Sequence, residues 1–226
     1  PIKYGDMVWL TTVDTALFSP SINGKVQILE NPLPSFDKNQ YISFVDAYDI
    51  QEKRGSSSEG AIVVMKRKIR LTTFEEEAII SKLEVETDFQ KKIELRLSLG
   101  YLPVAIYTDD IDDPRMFAEQ AIRLSVYYKA MCLVERMPSQ IFVYLRDNPS
   151  YFKWLQWKPV KPEVKVLKKE HFVEKGMKLD EVWKGYRTSA LQSYYEDFYE
   201  SIFFPKLLAE ALDYDPEISG KKKDII

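Results

Sequence analysis

Histidine and cysteine are nearly missing from this chain: His171 and Cys132 are single occurrences in 226 residues. A lone cysteine closes no internal disulfide, so a reducing compartment is the default expectation. Zinc sites draw several ligands from His and Cys, which disfavours a zinc centre. Any catalytic metal has to be held mainly by Asp and Glu, a donor set that suits hard ions such as Mg²⁺ or Mn²⁺. No apolar stretch approaches the roughly 18 residues of a membrane span. No Gly-x-x-x-x-Gly-Lys-Ser/Thr phosphate loop occurs, and no internal repeat. A strong positive charge is also lacking: the net charge of −3 is not the footprint of a strong nucleic-acid binder, although basic residues gather in the third quarter. The opening Pro1-Ile2-Lys3-Tyr4 has neither an initiator Met nor a signal-peptide pattern, and reads as part of a longer or processed protein.

What is present is ordinary globular material, 45% hydrophobic and 30% charged, long enough for one large domain with a real core. Residues 1–40 lack helical periodicity. Their turn signals at Pro20, Asn23-Gly24 and Pro32-Leu33-Pro34, with one short strand at Val26 to Leu29, suggest a linker into the main fold. The apolar run Tyr41 to Val45 predicts a buried strand ending on Asp46, and Ala61 to Met65 a second strand after a Gly/Ser loop. Together they read as an antiparallel hairpin.

Phe74 to Leu99 predicts one or two helices interrupted near Thr87-Asp88, stopped by Gly100. Leu102 to Tyr107 is a third strand. Asp113-Pro114 is a cap-and-start signal for a helix to about Lys129, and Met131 to Val134 is a fourth strand ending on Glu135. A helix between two strands implies a parallel crossover. Ser139 to Arg146 reads as helix and Val164 to Leu167 as a fifth strand. Gly185 to Ser189 reads as a turn and Ala190 to Leu212 as one long helix. The class expected is a mixed α/β sheet with an opening antiparallel hairpin, flanked by helices.

Two acids, Asp46 and Glu135, end buried strands. An acid there is costly unless paired or bound to metal. If the strands are neighbours, both carboxylates reach one sheet edge, where two or three such groups can hold two divalent ions for phosphodiester hydrolysis. Each acid alone is better read as a strand end facing water; the joint pattern points to the site.

The sequence resembles a family at this point. Phe44-Val45-Asp46-Ala47-Tyr48-Asp49, a Gly/Ser loop and Gly60 to Val64 resemble the opening hairpin of the nuclease domain of bacteriophage large terminase subunits. Tyr107-Thr108, Asp113-Pro114, Phe117 to Gln120 and Tyr127-Tyr128 are similar to its crossover helix. Leu133-Val134-Glu135 is similar to the strand with its second acid, and Gly185 to Ser189 to its glycine-threonine turn. The resemblance covers roughly residues 35 to 226.

It implies a ribonuclease H-like domain over residues 41–226, with a charged helical insert at about 74–99 that the family pattern does not require. It implies a Mg²⁺- or Mn²⁺-dependent endonuclease with two ions, cutting concatemeric viral DNA during packaging in the infected bacterial cytoplasm. The implied partners are double-stranded DNA, an ATPase domain, a portal and a small terminase subunit. Asp46 and Glu135 match its first two metal-binding acids. Asp224, in Asp224-Ile225-Ile226, matches the third by context, although the helix that should hold it is not in the sequence.

Asp49 is a further metal candidate. Lys158, Lys161 and Lys165, interleaved with Trp154 and Trp157, suit a DNA backbone, and the resemblance makes Lys184 and Arg187 phosphate contacts. A solvated loop explains the lysines as well. The cluster Asp109, Asp110, Asp112 and Asp113 is explained by capping and solvation, and the aromatic series Tyr194 to Phe204 by core packing or a partner-facing stripe. Two other readings stand beside the first: a resolvase- or transposase-type nuclease of the same fold, and a non-catalytic docking module in DNA packaging.

Overall fold

The computed structural model describes residues 1–10, 15–34, 39–46, 60–109, 113–135, 140–160, 164–172, 174–177 and 181–212; at 170, 172, 181, 182, 184 and 187 it describes the backbone alone. The strands are β1 (Lys3–Trp9), β2 (Ala16–Pro20), β3 (Val26–Ile28), β4 (Tyr41–Asp46), β5 (Gly60–Lys66), β6 (Leu102–Asp109) and β7 (Met131–Val134). The helices are α1 (Thr73–Val85), α2 (Phe89–Leu99), α3 (Pro114–Tyr128), α4 (Gln140–Asp147), α5 (Pro149–Phe152), α6 (Glu181–Phe198) and α7 (Pro205–Leu212).

All seven strands join one open, mixed sheet in the order β2-β1-β3-β6-β5-β4-β7. The expected hairpin is there: β4 and β5 pair antiparallel from Tyr41↔Lys66 to Asp46↔Ala61. The crossover is there too, but its partner differs. The chain leaves β6, runs through α3 and returns beside β4 rather than β6, pairing parallel with it. Residues 1–40, expected to contain one strand, contribute three, and β3 continues the sheet along β6. β1 and β2 were hidden because their polar and apolar residues alternate weakly, as in Lys3-Tyr4-Gly5-Asp6.

α3 covers one face. Its buried stripe of Phe117, Ala121, Ile122, Leu124 and Tyr128 meets Tyr41, Val45, Ile62 and Val64, the period-2 set of β4 and β5. The helix starts as the sequence indicates: the Asp113 side chain accepts from the Arg115 backbone N–H, and Pro114 occupies the first turn. It ends at Lys129, in the left-handed region at φ 48°. Arg123 fastens it to β1, donating to the Met7 carbonyl at 3.3 Å and lying 5.7 Å from the Trp9 ring centre.

Among the described residues, one buried ammonium is on this face, and it has a partner. Lys66, 2% exposed, donates to Glu30 at 2.7 Å. The Tyr41 hydroxyl donates to the same carboxylate, and the Tyr128 hydroxyl to the Glu30 carbonyl. Burial, then the nearby Glu30 charge, pushes the Tyr41 phenol well above its usual range.

The insert is two helices, as expected, each capped. Thr72 and Glu75 form a reciprocal capping box on α1, and Asp88 caps α2. Gly100 ends α2 at φ 75°, where an added Cβ would meet the Arg67 carbonyl oxygen at 2.2 Å.

Three expectations are corrected. Residues 164–167 are exposed and form no strand; Val164 and Val166 supply β-branched character but no sheet edge. The β7 edge is extended instead by isolated bridges, Cys132↔Leu155 and Glu135↔Met177. Gly185 to Ser189 is not a turn but part of α6, with open space where a Cβ would sit at Gly185. The long helix from Ala190 to Leu212 is broken by a 3₁₀ turn at Tyr199–Ser201 before α7 begins at Pro205, a residue suited to a first turn and not to a helix interior. Among the described residues no helix is long and apolar enough to cross a membrane.

Candidate active site

The site grows out of one register. β4 and β7 pair parallel as Ile42↔Met131, Ser43↔Cys132, Phe44↔Leu133 and Val45↔Val134. The next pair in that sequence is Asp46 and Glu135, on neighbouring strands roughly 5 Å apart along the backbone. Side chains of paired residues leave a sheet on the same face, and both acids line the same cavity. The strands of the two acids are thus neighbours, and both acids line one cavity.

The same row continues across the sheet. Asp46 faces Ala61 on β5, and Ala61 faces Thr108 on β6. Lys206 of α7 donates to the Thr108 hydroxyl at 3.1 Å, which places a cation at this end of the sheet two strands from Asp46. Asp109, opposite Gly60, is also at this end, 9% exposed, with Lys25 paired to it and the Tyr107 hydroxyl donating at 2.8 Å. Asp109 thus serves a local ion pair. Lys206 was missed in the sequence because a lysine opening a short helix carries no signal of a strand 98 residues away.

The face bearing Asp46 and Glu135 is opposite to that covered by α3. Phe44, Val63, Met65 and Leu133 form its floor, and Trp183, Tyr186, Tyr194 and Tyr195 of α6 its roof. Between them is a cavity of about 600 Å³, with Asp46 and Glu135 among its lining residues. α6 is anchored through Tyr101. The Tyr194 and Phe198 rings pack on Tyr101 at 5.7 and 4.8 Å, and the Tyr194 hydroxyl donates to the Tyr101 carbonyl. Burial raises the Tyr194 phenol. The aromatic series is thus partly packing and partly cavity wall.

The edge next to Glu135 is closed by residues 152–157 and 174–177. Met177 donates its backbone N–H to the Val134 carbonyl, and Gln156 to that of Cys132. Lys175 clamps the two segments: its ammonium is 4.7 Å from the centres of both the Phe152 and Trp157 rings and donates to the Phe152 and Leu155 carbonyls. Burial lowers its pKa.

Of the proposed DNA contacts, Lys158 is paired with Glu174 at 3.1 Å and Lys165 is exposed. Lys184 and Arg187 are on α6, described by backbone alone. Asp49, Lys161 and Asp224 lie outside the described residues, as do Asp110 and Asp112. Asp113 is the α3 cap. Cys132 is fully buried; burial pushes its thiol up to about 12 although the Ser125 and Ser43 hydroxyls face it, so it is an inert core group.

Two adjacent carboxylates are a donor set for a hard divalent ion. Among the described residues no group of three or more His, Cys, Asp or Glu is placed to hold a metal. No protein-family model matches this chain, and no curated protein matches it.

Proposed function

We propose that this protein is a metal-dependent DNA endonuclease of ribonuclease H-like architecture, acting on viral DNA during packaging as the large-terminase resemblance implies. The observation that carries the reading is the β4–β7 register, which ends at Val45↔Val134, one residue before Asp46 and Glu135 on neighbouring strands, with both acids lining one cavity. The strand order β6-β5-β4-β7, an antiparallel meander followed by a parallel crossover strand, supports the architecture. β1, β2 and β3 extend the sheet on the other side of β6.

Asp46 and Glu135 would hold Mg²⁺ or Mn²⁺, with a third acid, Asp224 by resemblance, completing the set. Divalent ions held there supply water activation and charge stabilisation at the leaving oxygen. The chain's own part is to fix two carboxylates on rigid strands, so that neither has to be ordered when substrate arrives. Lys206, which donates to Thr108, adds a cation at the same end of the sheet as Asp46, where a basic side chain suits a DNA backbone.

The test is Mn²⁺ binding by calorimetry together with nicking of supercoiled plasmid. Wild type should bind Mn²⁺ and nick, and Asp46→Ala and Glu135→Ala should each lower the rate by about 10³-fold, the several kcal/mol expected of a metal ligand. Both acids are partly exposed, and a melting curve of each variant separates a lost metal ligand from a lost fold. Mn²⁺ binding and nicking that survive Asp46→Ala would remove the proposal and favour the docking reading.

A further inference from the structure

The cavity under α6 is larger than the chemistry at Asp46 and Glu135 requires. Two carboxylates and their ions need a polar edge, whereas this space of about 600 Å³ has an almost wholly apolar lining, with aromatic rings along one side. Its size is that of a small-molecule pocket. Trp183 and Tyr186 lie with ring centres 5.8 Å apart and planes at 58°, and Tyr194 and Tyr195 continue the wall.

Resting on the nuclease reading, we infer that the cavity takes an unpaired nucleobase, so that the protein engages DNA at unstacked or single-stranded positions rather than in closed duplex. The occupant follows from what surrounds the cavity. Its body is apolar and lined by aromatic rings, which suits a π-face, and aromatic stacking is how proteins hold bases without reading sequence. Its lining includes Asp46 and Glu135, where that reading places the reacting phosphodiester, and Lys206 on Thr108 is at the same sheet end. A nucleotide has this same division, an apolar flat base attached to an anionic phosphate. A base inside a closed duplex cannot leave the stack without a cost of a few kcal/mol, so unpaired DNA is favoured.

The experiment uses a single-stranded decamer with one central 2-aminopurine, the same decamer in duplex, and a decamer abasic at that position, each titrated with the protein in Ca²⁺. The expected result is strong quenching of 2-aminopurine in the single strand, with affinity at least about tenfold above both duplex and abasic strands. That corresponds to one stacked base at 1–3 kcal/mol. Val63→Phe, which fills the floor, and Trp183→Leu, which removes a ring but keeps apolar volume, should each bring the three affinities together. Circular dichroism identifies any variant that fails to fold, and the other variant then decides.

Equal affinity for the three wild-type ligands overturns the inference, as does base-dependent binding untouched by either variant. A cavity that takes an apolar dye while showing no preference for the base overturns it too. Mn²⁺ binding at Asp46 is scored separately by its loss in Asp46→Ala. Mn²⁺ binding by the wild type that is lost in Asp46→Ala, without base preference, therefore defeats this inference alone, and Mn²⁺ binding that is absent from the wild type or survives Asp46→Ala defeats the nuclease reading.

Discussion

Val63 and Val64 are consecutive residues of β5, yet one borders a cavity and the other is wholly buried. The pleat sends them to opposite faces, and the faces are built to different ends. Under α3 the sheet is closed: Phe117, Ile122, Leu124 and Tyr128 are fully buried against it, and the ammonium that intrudes, Lys66, is met by Glu30. Under α6 the helix stands away, Phe44 is 39% exposed, and two acids are placed side by side. Close packing supplies the stability of the fold, and a face left incompletely packed is where a ligand can be accommodated.

Matched substitutions on the two faces test this contrast most severely. Phe117→Ala, beneath α3, is expected to cost about 3–5 kcal/mol, while Phe44→Ala, already part-exposed at a cavity floor, should cost no more than about 1 kcal/mol in urea unfolding. Equal losses would mean that α6 seals its face as tightly as α3 does. Next is the buried pair. Glu30→Ala strands Lys66 and removes the acceptor of Tyr41, an expected loss of about 3 kcal/mol, part of which should return in Glu30→Ala combined with Lys66→Met.

The two faces also differed in how far the sequence disclosed them. The α3 face was legible because its signals are local. The apolar run Tyr41 to Val45, the Asp113-Pro114 start and the Phe117, Ala121, Leu124, Tyr128 stripe each lie within one element. Strand-end acids made Asp46 and Glu135 visible, but the crossover rule pointed to β6 as the neighbour of β7, and the fold sets β7 beside β4 instead. The α6 face depends on contacts between distant segments. Tyr101 meeting Tyr194 and Phe198, and Lys206 meeting Thr108, leave no periodic trace. Gly185 resembled a turn because glycine is a weak helix former, yet α6 carries it in open space, where the absence of a side chain costs little beyond propensity. Val164 to Leu167 had strand composition without a neighbour, and β-propensity counts only when a sheet edge is there to be joined.

The closed face should also have a signature in pH. Cys132 on β7 is buried with its thiol pushed up to about 12, against about 8.5 in an unfolded chain. Between those values the unfolded state has lost the proton and the folded state retains it, so unfolding is favoured as pH rises. Stability contributed by the protonated thiol is whole below about pH 8.5 and declines toward pH 12. From pH 7 to pH 10 the loss should be about 1.5–2 kcal/mol, a range that ends where the buried tyrosines begin to add their own loss. Cys132→Ala should be less stable at pH 7 but lose that much less between pH 7 and 10. An unchanged slope in the variant would show that the thiol is reached by hydroxide in the folded state.

The smallest effect sharpens the open side, at the basic stretch that borders the β7 edge. Lys158 is half-exposed and paired with Glu174, an arrangement worth less than about 1 kcal/mol. Lys158→Ala should therefore leave the urea midpoint almost where it was. In the nuclease reading this stretch follows phosphates, so the slope of log affinity against log salt for duplex or single-stranded DNA should become shallower by about 1. A slope that does not change would assign Lys158 to Glu174 alone, and would shift the anion-binding role at this edge to Lys165, which is exposed, and at the sheet end to Lys206. Repeating the salt series with Lys165→Ala and Lys206→Ala then separates the two, because only Lys206 is at the Asp46 end of the sheet and only its loss should also lower the rate of cutting.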